Sequence, residues 1–158
     1  MKKIKYLLAV VVAIWFYARI DILIWQRIFE RNSLYEYGIG IYHWGWLQAL
    51  FGFMVIGAVL FAPDWRKVIG YPITLAVLAY SGLEDVLYYW LDGREIPATL
   101  PWLNGNPMIL HPVTNTNLVI SAAFWVIVLV VLHLAVVRLT FRQKQRLNFA
   151  FQPIRSQK

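Results

Sequence analysis

The sequence predicts an all-α integral membrane protein, an antiparallel bundle of four transmembrane helices with a Pro-rich outer loop. Hydrophobic residues fill 60% of the 158 positions and charged residues only 15%, whereas soluble domains average about 45–50% and about 25%. The apolar residues gather into four runs, each near the ~20 residues that a spanning helix needs. The runs belong to a single four-helix membrane domain, residues 1–158, and cover about 5–26, 40–62, 68–91 and 113–138.

The first run follows a basic start, as the apolar segment of a secretory signal peptide does. Cleavage after Ala18 would place bulky Phe16 where a small residue is needed. The apolar pattern also resumes after Asp21. We therefore expect this segment to be an uncleaved first transmembrane helix.

A short link joins the second and third runs, which are therefore expected to be antiparallel neighbours. Pro63 and Pro72 act as helix breakers near this link, and Arg66 and Lys67 suit a cytoplasmic interface. The second run also has small residues three to four positions apart, a spacing that lets another helix approach closely. These small residues are Gly45, Ala49, Gly52, Gly57 and Ala58.

The fourth run follows a long loop, residues 92–112, which contains four prolines and several large apolar residues. The prolines exclude a regular helix or a central strand, and the loop is too apolar for a free linker. We expect it to lie on the outer bilayer interface or to cap the bundle. Loops of this length are often lids or binding loops, and the alternative is a plain interfacial hairpin anchored by Trp102.

Basic residues set the predicted orientation. Lysines and arginines outside the runs concentrate at the N-terminus, in the link and in the basic tail, residues 139–158, whereas Arg27, Arg31 and Arg94 lie on the other side. The positive-inside rule then predicts a multi-pass protein of the plasma (inner) membrane with both termini in the cytoplasm. The net charge of +7 thus favours membrane lipids as partners, and no nucleic-acid partner is expected.

Four ionisable residues fall inside the predicted spans, where an unpaired charge costs several kcal/mol. Arg19 and Asp21 lie about 20 Å along the first helix at ~1.5 Å per residue, and Glu84 and Asp85 reach a similar depth in the third. The sequence therefore predicts one outward-facing polar layer to which every helix contributes. Further members of this layer are His43, Gln48, His111, Thr114, Asn115, Asn117 and Ser121.

Glu84, Asp85, Arg19 and Asp21 are the predicted catalytic residues of this layer. Adjacent positions on a helix point about 100° apart, so one carboxyl group of the acidic pair can face the bundle interior while the other meets a neighbouring helix. Arg19 is the expected counter-ion for one of them. A nearby cation favours the carboxylate and burial favours the acid, a division that suits general acid and base catalysis. The alternative is a buried ion pair that only fixes helix register.

Aromatic and amide side chains near the layer are the predicted binding residues. A spacing of four residues places Tyr88 on the face of Glu84 and Tyr89 on the face of Asp85. Aromatic rings can line an apolar pocket or stabilise a cation. The other candidate binding residues are Trp44, Trp102, Asn115 and Asn117.

His43 and His111 are candidate ligands for a divalent metal. Together with Asp21, Glu84 or Asp85 they would complete a two-His, one-carboxylate site of the kind that holds zinc or non-haem iron. The same two histidines could be axial ligands of a haem, or could be hydrogen-bonded or solvated at the interface. The chain has no cysteine, which excludes disulfides, thiol nucleophiles and cysteine-ligated metals.

Residues 83–89, LEDVLYY, contain an acidic pair followed by aromatic residues. This stretch resembles the acidic pair and following aromatics of integral-membrane lycopene cyclase domains, with Gly82 where that family usually has a proline. The resemblance covers these positions only. It implies acid chemistry by Glu84 and Asp85 on a polyene.

Together, these patterns favour a small polytopic membrane protein with a buried acidic site beneath the outer loop. The site would act on or bind a lipid-like or isoprenoid substrate by carboxylate acid–base chemistry, with or without a metal. The alternative is a non-enzymatic scaffold or accessory subunit, whose buried charges are structural and whose aromatic surface meets a protein partner or a second copy. That alternative predicts a dry polar layer in which Arg19 bonds a carboxylate directly.

Overall fold

The described part of the chain forms five α-helices. The computed structural model describes the backbone of residues 2–24 and 35–150 and the side chains of residues 4–24 and 42–139. Sequence predictions for residues 25–26, for Arg27 and Arg31, and for the tail beyond residue 150 lie outside these residues. The helices are α1 (Lys2–Ile24), α2 (Tyr35–Phe61), α3 (Trp65–Tyr80), α4 (Leu83–Asp92) and α5 (Asn115–Ala150).

Three of the described helices are long and apolar enough to cross a membrane. The candidate spans are Ile4–Ile24, Tyr42–Phe61 and Asn115–Leu139. They coincide with the first, second and fourth predicted runs and support the prediction of an all-helical membrane protein. Such runs are readable from sequence because the thickness of the bilayer core, about 30 Å, fixes the length of a spanning helix.

The third predicted run, 68–91, is not one continuous helix, and the prediction of a four-helix bundle is not confirmed. Ser81 and Gly82 separate α3 from α4. Gly82 has a left-handed backbone with φ 84°, which residues with a side chain rarely adopt. Ser81 Oγ accepts a hydrogen bond from the Leu83 N–H (3.3 Å) and donates one to the Leu78 carbonyl (2.9 Å). The serine therefore satisfies backbone groups at the break.

The structure divides into two compact units, Met1–Trp125 and Val126–Lys158. In the first unit, α1 contacts α2, α3 and α4, and α3 also contacts α2 and α4. Gly57 permits the close approach of α2 to α3, because a Cβ at this position would lie 1.9 Å from the ring of the buried Tyr71. In the second unit, α5 continues to Ala150, so the first residues of the basic tail are helical.

A tight turn, residues 62–64, connects α2 with α3. Lys67 Nζ lies 2.7 Å from a carboxylate oxygen of Asp64, and the hydrogen bond from Lys67 holds the pKa of Asp64 below its ordinary value. A pKa lowered by folding means that the pair stabilises the protein at neutral pH and loses this effect as the pH falls through that pKa. Because Asp64 is exposed, the pair contributes little, and Asp64→Asn is a mild substitution.

The loop between α4 and α5 packs on the start of α5. Leu100, Ile109, Val113 and Leu118 form a buried apolar cluster, with Val86, Tyr89, Ile96 and Leu103 packed against it. A hydrogen bond from the Leu100 N–H to the Val113 carbonyl (3.0 Å) holds the two ends of the loop together. The loop also contains a short 3-10 turn, Pro101–Leu103.

Side-chain hydrogen bonds fix this loop to the helices on either side of it. Asn106 Nδ2 donates to the carbonyl of Tyr80 at the end of α3 (2.8 Å). Trp125 Nε1 donates from α5 to the carbonyl of Met108 (2.9 Å). These two bonds connect the loop to the end of α3 and to α5.

Candidate functional site

Two buried carboxyl groups from different helices meet in the first unit. Asp21 of α1 is 9% exposed and Glu84 of α4 is 4% exposed, and the two groups lie close enough to interact electrostatically. Asp21 lies inside the candidate span Ile4–Ile24, and Glu84 lies in the first turn of α4. The structure thus brings together two of the four charged residues of the predicted polar layer.

The contacts of this pair indicate where its proton lies. Two buried carboxyl groups close together disfavour double ionisation, so one of them is expected to hold a proton. Tyr42 of α2 donates a hydrogen bond to Asp21 Oδ1. This donor stabilises a carboxylate at Asp21, and Glu84 is therefore the member better suited to hold the proton. Glu84 Oε1 is buried and has no hydrogen-bond partner among the described residues.

The surroundings of Asp21 leave little unfilled space. The Tyr17 hydroxyl donates to the Trp46 carbonyl (3.1 Å), and their rings lie 5.3 Å apart. A space of about 10 Å³ remains beside Asp21, enough for about one water molecule. The residues lining it are Tyr17, Ile20, Asp21, Ile24, Tyr42, Trp46 and Ala49.

Arg19 does not pair with the acidic residues, contrary to the expectation from the sequence. It is half-buried, and neither of the two ion pairs among the described residues includes Arg19, Asp21, Glu84 or Asp85. The reason is helical geometry, since positions two apart do not share a face. A helix that turns Asp21 toward α4 therefore turns Arg19 away.

Asp85, the second acid of the motif, has a different environment from Glu84. It is half-buried, whereas Glu84 is buried, as expected for neighbours that point about 100° apart on a helix. Both carboxyl groups interact electrostatically with Asp21, and Glu84 is the more buried of the two. The structure therefore favours Glu84 over Asp85 as the acid of the site.

A second polar cluster lies at the C-terminal end of α4. Arg94 Nη2 donates to the Tyr88 hydroxyl (2.8 Å), and Arg94 also pairs with Asp92. The guanidinium carbon lies 5.5 Å from the ring centre of Tyr88 and 6.0 Å from that of Tyr89. The two predicted binding tyrosines therefore hold a cation of the protein itself. The sequence analysis missed Arg94, since it lies beyond the three-to-four spacing that links residues on a helix.

The remaining predicted binding residues lie on surfaces or at a helix start. Trp44 is 68% exposed and Trp102 is 61% exposed. Asn115 Oδ1 accepts a hydrogen bond from the next backbone N–H (2.7 Å), and Asn117 Nδ2 donates to the Pro112 carbonyl (2.8 Å). The two asparagines thus satisfy backbone groups at the start of α5, which a helix terminus otherwise leaves unpaired.

The two candidate metal ligands are both exposed. The His43 ring lies 5.6 Å from the ring of Tyr42, and His111 Nε2 lies 3.2 Å from the Asn106 carbonyl. Among the described side chains, no three of the types that bind metals come together. The described part of the chain therefore supplies no ligand set for the divalent metal that the sequence analysis considered.

Tyr42 and Tyr17 are the site residues that the sequence analysis missed. Tyr42, Trp46 and Ala49 are spaced three to four apart and so share one face of α2, and all three line the space beside Asp21. This spacing was the one signal that could have placed Tyr42 in the site. Tyr17 lies four residues before Asp21 on α1 and was accessible to the same argument.

No protein-family model matches the chain, and no curated protein or solved structure matches it.

Proposed function

We propose that this protein binds a lipid-like or isoprenoid substrate within the membrane and transfers the proton of Glu84 to it. The observation that supports this function is the Asp21–Glu84 pair, two buried carboxyl groups from different helices that lie close together. Carbon–carbon double bonds are weak bases, and their protonation needs an acid positioned in surroundings that exclude water. The buried Glu84 meets both requirements.

The proposed step balances within the site. Glu84 gives its proton to one carbon of a double bond, whose electron pair forms the new C–H bond and leaves a carbocation at the neighbouring carbon. A carboxylate of the pair then takes a proton from an adjacent carbon, and the electrons of that C–H bond form a new double bond. The product is an isomer of the substrate. The rings of Tyr17 and Tyr42 line the site and are suited to stabilise the cation.

Substrate entry requires movement of the helices. The space beside Asp21, about 10 Å³, is far smaller than the pockets of about 300–1,000 Å³ that hold small molecules. The lining residues of this space come from α1 and α2. We therefore propose that these two helices separate to admit an apolar chain from the bilayer.

The second candidate function is that of a non-enzymatic membrane scaffold or accessory subunit, with a protein partner or a second copy of the chain. The tight packing favours it, because the contacts of Asp21 with Tyr42 and Glu84 join α1, α2 and α4 in a nearly filled space. Contacts between buried polar groups of different helices can fix how those helices pack. Under this candidate, Glu84 contributes to stability and to no reaction.

A deuterium-transfer assay tests the proposed function. The purified chain is reconstituted in lipid nanodiscs with a mixed isoprenoid extract in deuterium oxide, and the lipids are analysed by mass spectrometry. We expect the wild-type protein to introduce deuterium into an isoprenoid, Asp64→Asn to match it, and Glu84→Gln to introduce almost none. Equal deuterium incorporation with all three proteins and in empty nanodiscs would contradict the proposal.

We also propose that the third run crosses the membrane as α3 followed by α4, giving four crossings with both termini in the cytoplasm. The two helices have 16 and 10 residues, which at ~1.5 Å per residue is enough for the ~30 Å core. The orientation rests on Arg66 and Lys67 in the first turn of α3, which the positive-inside rule places in the cytoplasm.

Single-cysteine labelling tests this topology, since the chain has no cysteine of its own. Ala62→Cys and Asn104→Cys introduce exposed thiols in the α2–α3 turn and in the outer loop. A maleimide that cannot cross membranes should label Asn104→Cys on intact bacterial cells and Ala62→Cys only after permeabilisation. Equal labelling of the two positions on intact cells would show that α3 and α4 do not cross.

A further inference from the structure

A shallow groove lies between the end of α4 and the start of α5, away from the carboxyl pair. Its volume is about 540 Å³, which is within the range of about 300–1,000 Å³ typical of ligand sites. All of its residues belong to the first compact unit. The lining residues are Glu95, Ile96, Asn115, Thr116, Val119 and Ile120.

The groove is divided into a polar half and an apolar half. Glu95, Asn115 and Thr116 supply carboxylate, amide and hydroxyl groups, and the candidate span of α5 begins at this level, at Asn115. Val119 and Ile120 lie one turn further along the span and are 45% and 48% exposed. This division matches a membrane lipid, whose headgroup lies at the interface and whose chains lie beside the span.

The charge of the groove selects the headgroup. Glu95 is exposed and belongs to neither ion pair among the described residues. The neighbouring Arg94 is already held by Asp92 and by the Tyr88 hydroxyl. The carboxylate of Glu95 is therefore the charge that the groove offers, and its complement is a cation.

The start of α5 does not offset this negative charge. Helix N-termini attract anions through their free N–H groups, but here side chains already accept hydrogen bonds from those groups. Asn115 Oδ1 accepts from the Thr116 N–H (2.7 Å), and Thr114 Oγ1 accepts from the Asn117 N–H (3.2 Å). The groove thus favours an ammonium group over an anionic headgroup.

We propose that this groove binds a phospholipid with a primary ammonium headgroup, of the phosphatidylethanolamine type. The ammonium donates to the carboxylate of Glu95, the phosphate accepts from the Asn115 amide, and one acyl chain lies on Ile96, Val119 and Ile120. The proposal is independent of proton transfer at Glu84, because the groove and the carboxyl pair share no residue.

Lipid retention tests this proposal. The full chain is purified from nanodiscs containing equal amounts of phosphatidylethanolamine, phosphatidylcholine and phosphatidylglycerol, and the retained lipids are counted by mass spectrometry. We expect the wild-type protein to retain phosphatidylethanolamine preferentially and Glu95→Gln to lower that preference about threefold, the size expected of an exposed ion pair. Glu95→Asp and Asp64→Asn should retain the wild-type preference.

Other results of the same experiment would overturn the proposal. They are a preference that Glu95→Gln leaves unchanged, equal retention of phosphatidylethanolamine and phosphatidylcholine by the wild-type protein, or preferential retention of phosphatidylglycerol. Val119→Ser keeps the carboxylate and removes apolar contact, so it should lower the retention of all three lipids. A selective loss of one headgroup in Val119→Ser would also contradict the division of the groove.

Discussion

Replacing Glu84 with glutamine should slow deuterium transfer to an isoprenoid by about 10²–10⁴-fold, the contribution typical of a general acid. An amide has the size of the carboxyl group but has no acidic proton to give. Glu84 is 4% exposed, so bulk water does not reach it to act as an acid in its place. The measurement is the initial rate of label incorporation in nanodiscs.

Measurements of thermal stability distinguish a catalytic role of Glu84 from a purely structural role of the Asp21–Glu84 pair. Thermal unfolding of Glu84→Gln should lie close to that of the wild-type protein, since the glutamine amide has the size of a protonated carboxyl group and can likewise donate a hydrogen bond. Asp85→Asn serves as the neighbouring control, and its rate should fall less because Asp85 is half-buried and outside the pair. An unchanged rate with a large loss of stability in Glu84→Gln would support the scaffold function.

Replacing Gly82 with alanine should destabilise the fold by about 2–5 kcal/mol. The left-handed backbone at Gly82 costs a residue with a side chain about 1–2 kcal/mol. In addition, a Cβ would lie 2.4 Å from Leu118 Cδ1, and Leu118 is fully buried in the cluster beneath the loop. Forcing an extra carbon into a filled site costs a further ~1–3 kcal/mol.

Gly93→Ala is the matched control for this substitution. Gly93 also has a left-handed backbone, with φ 71°, but a Cβ there meets nothing within 4 Å. It should therefore lose only the ~1–2 kcal/mol of backbone strain. Denaturation of both variants in the same detergent gives the difference directly. Equal losses in the two variants would show that Leu118 does not pack against Gly82.

The membrane character of the chain could be read from its sequence, because the signal is local. An apolar run of about 20 residues predicts a spanning helix in any surroundings, and α1, α2 and α5 contain such runs. The break at Gly82 could not be read in this way. A single glycine is tolerated inside a helix. At Gly82 the backbone is left-handed, and Leu118, which lies far away in sequence, occupies the place that a side chain would take.

The candidate site around Asp21 and Glu84 could likewise be predicted from the sequence only in part. Helix rise alone placed Asp21 and Glu84 at one depth, and the structure brings them together. The rotation of each helix about its own axis decides which side chains face each other. This rotation depends on how the helices pack. It turns Asp21 toward Glu84 and Tyr42 and leaves Arg19 outside every ion pair of the described residues.

Infrared spectroscopy of the carboxyl pair tests the central claim, that Asp21 and Glu84 share a proton carried by Glu84. The wild-type protein in nanodiscs at neutral pH should show the C=O absorption of a protonated carboxyl group, which shifts in deuterium oxide. The absorption should vanish in Glu84→Gln and move to another frequency in Tyr42→Phe, since Tyr42 bonds the acceptor Asp21. A wild-type spectrum with ionised carboxylates only, or an absorption that survives in Glu84→Gln and vanishes in Asp85→Asn, would contradict the account.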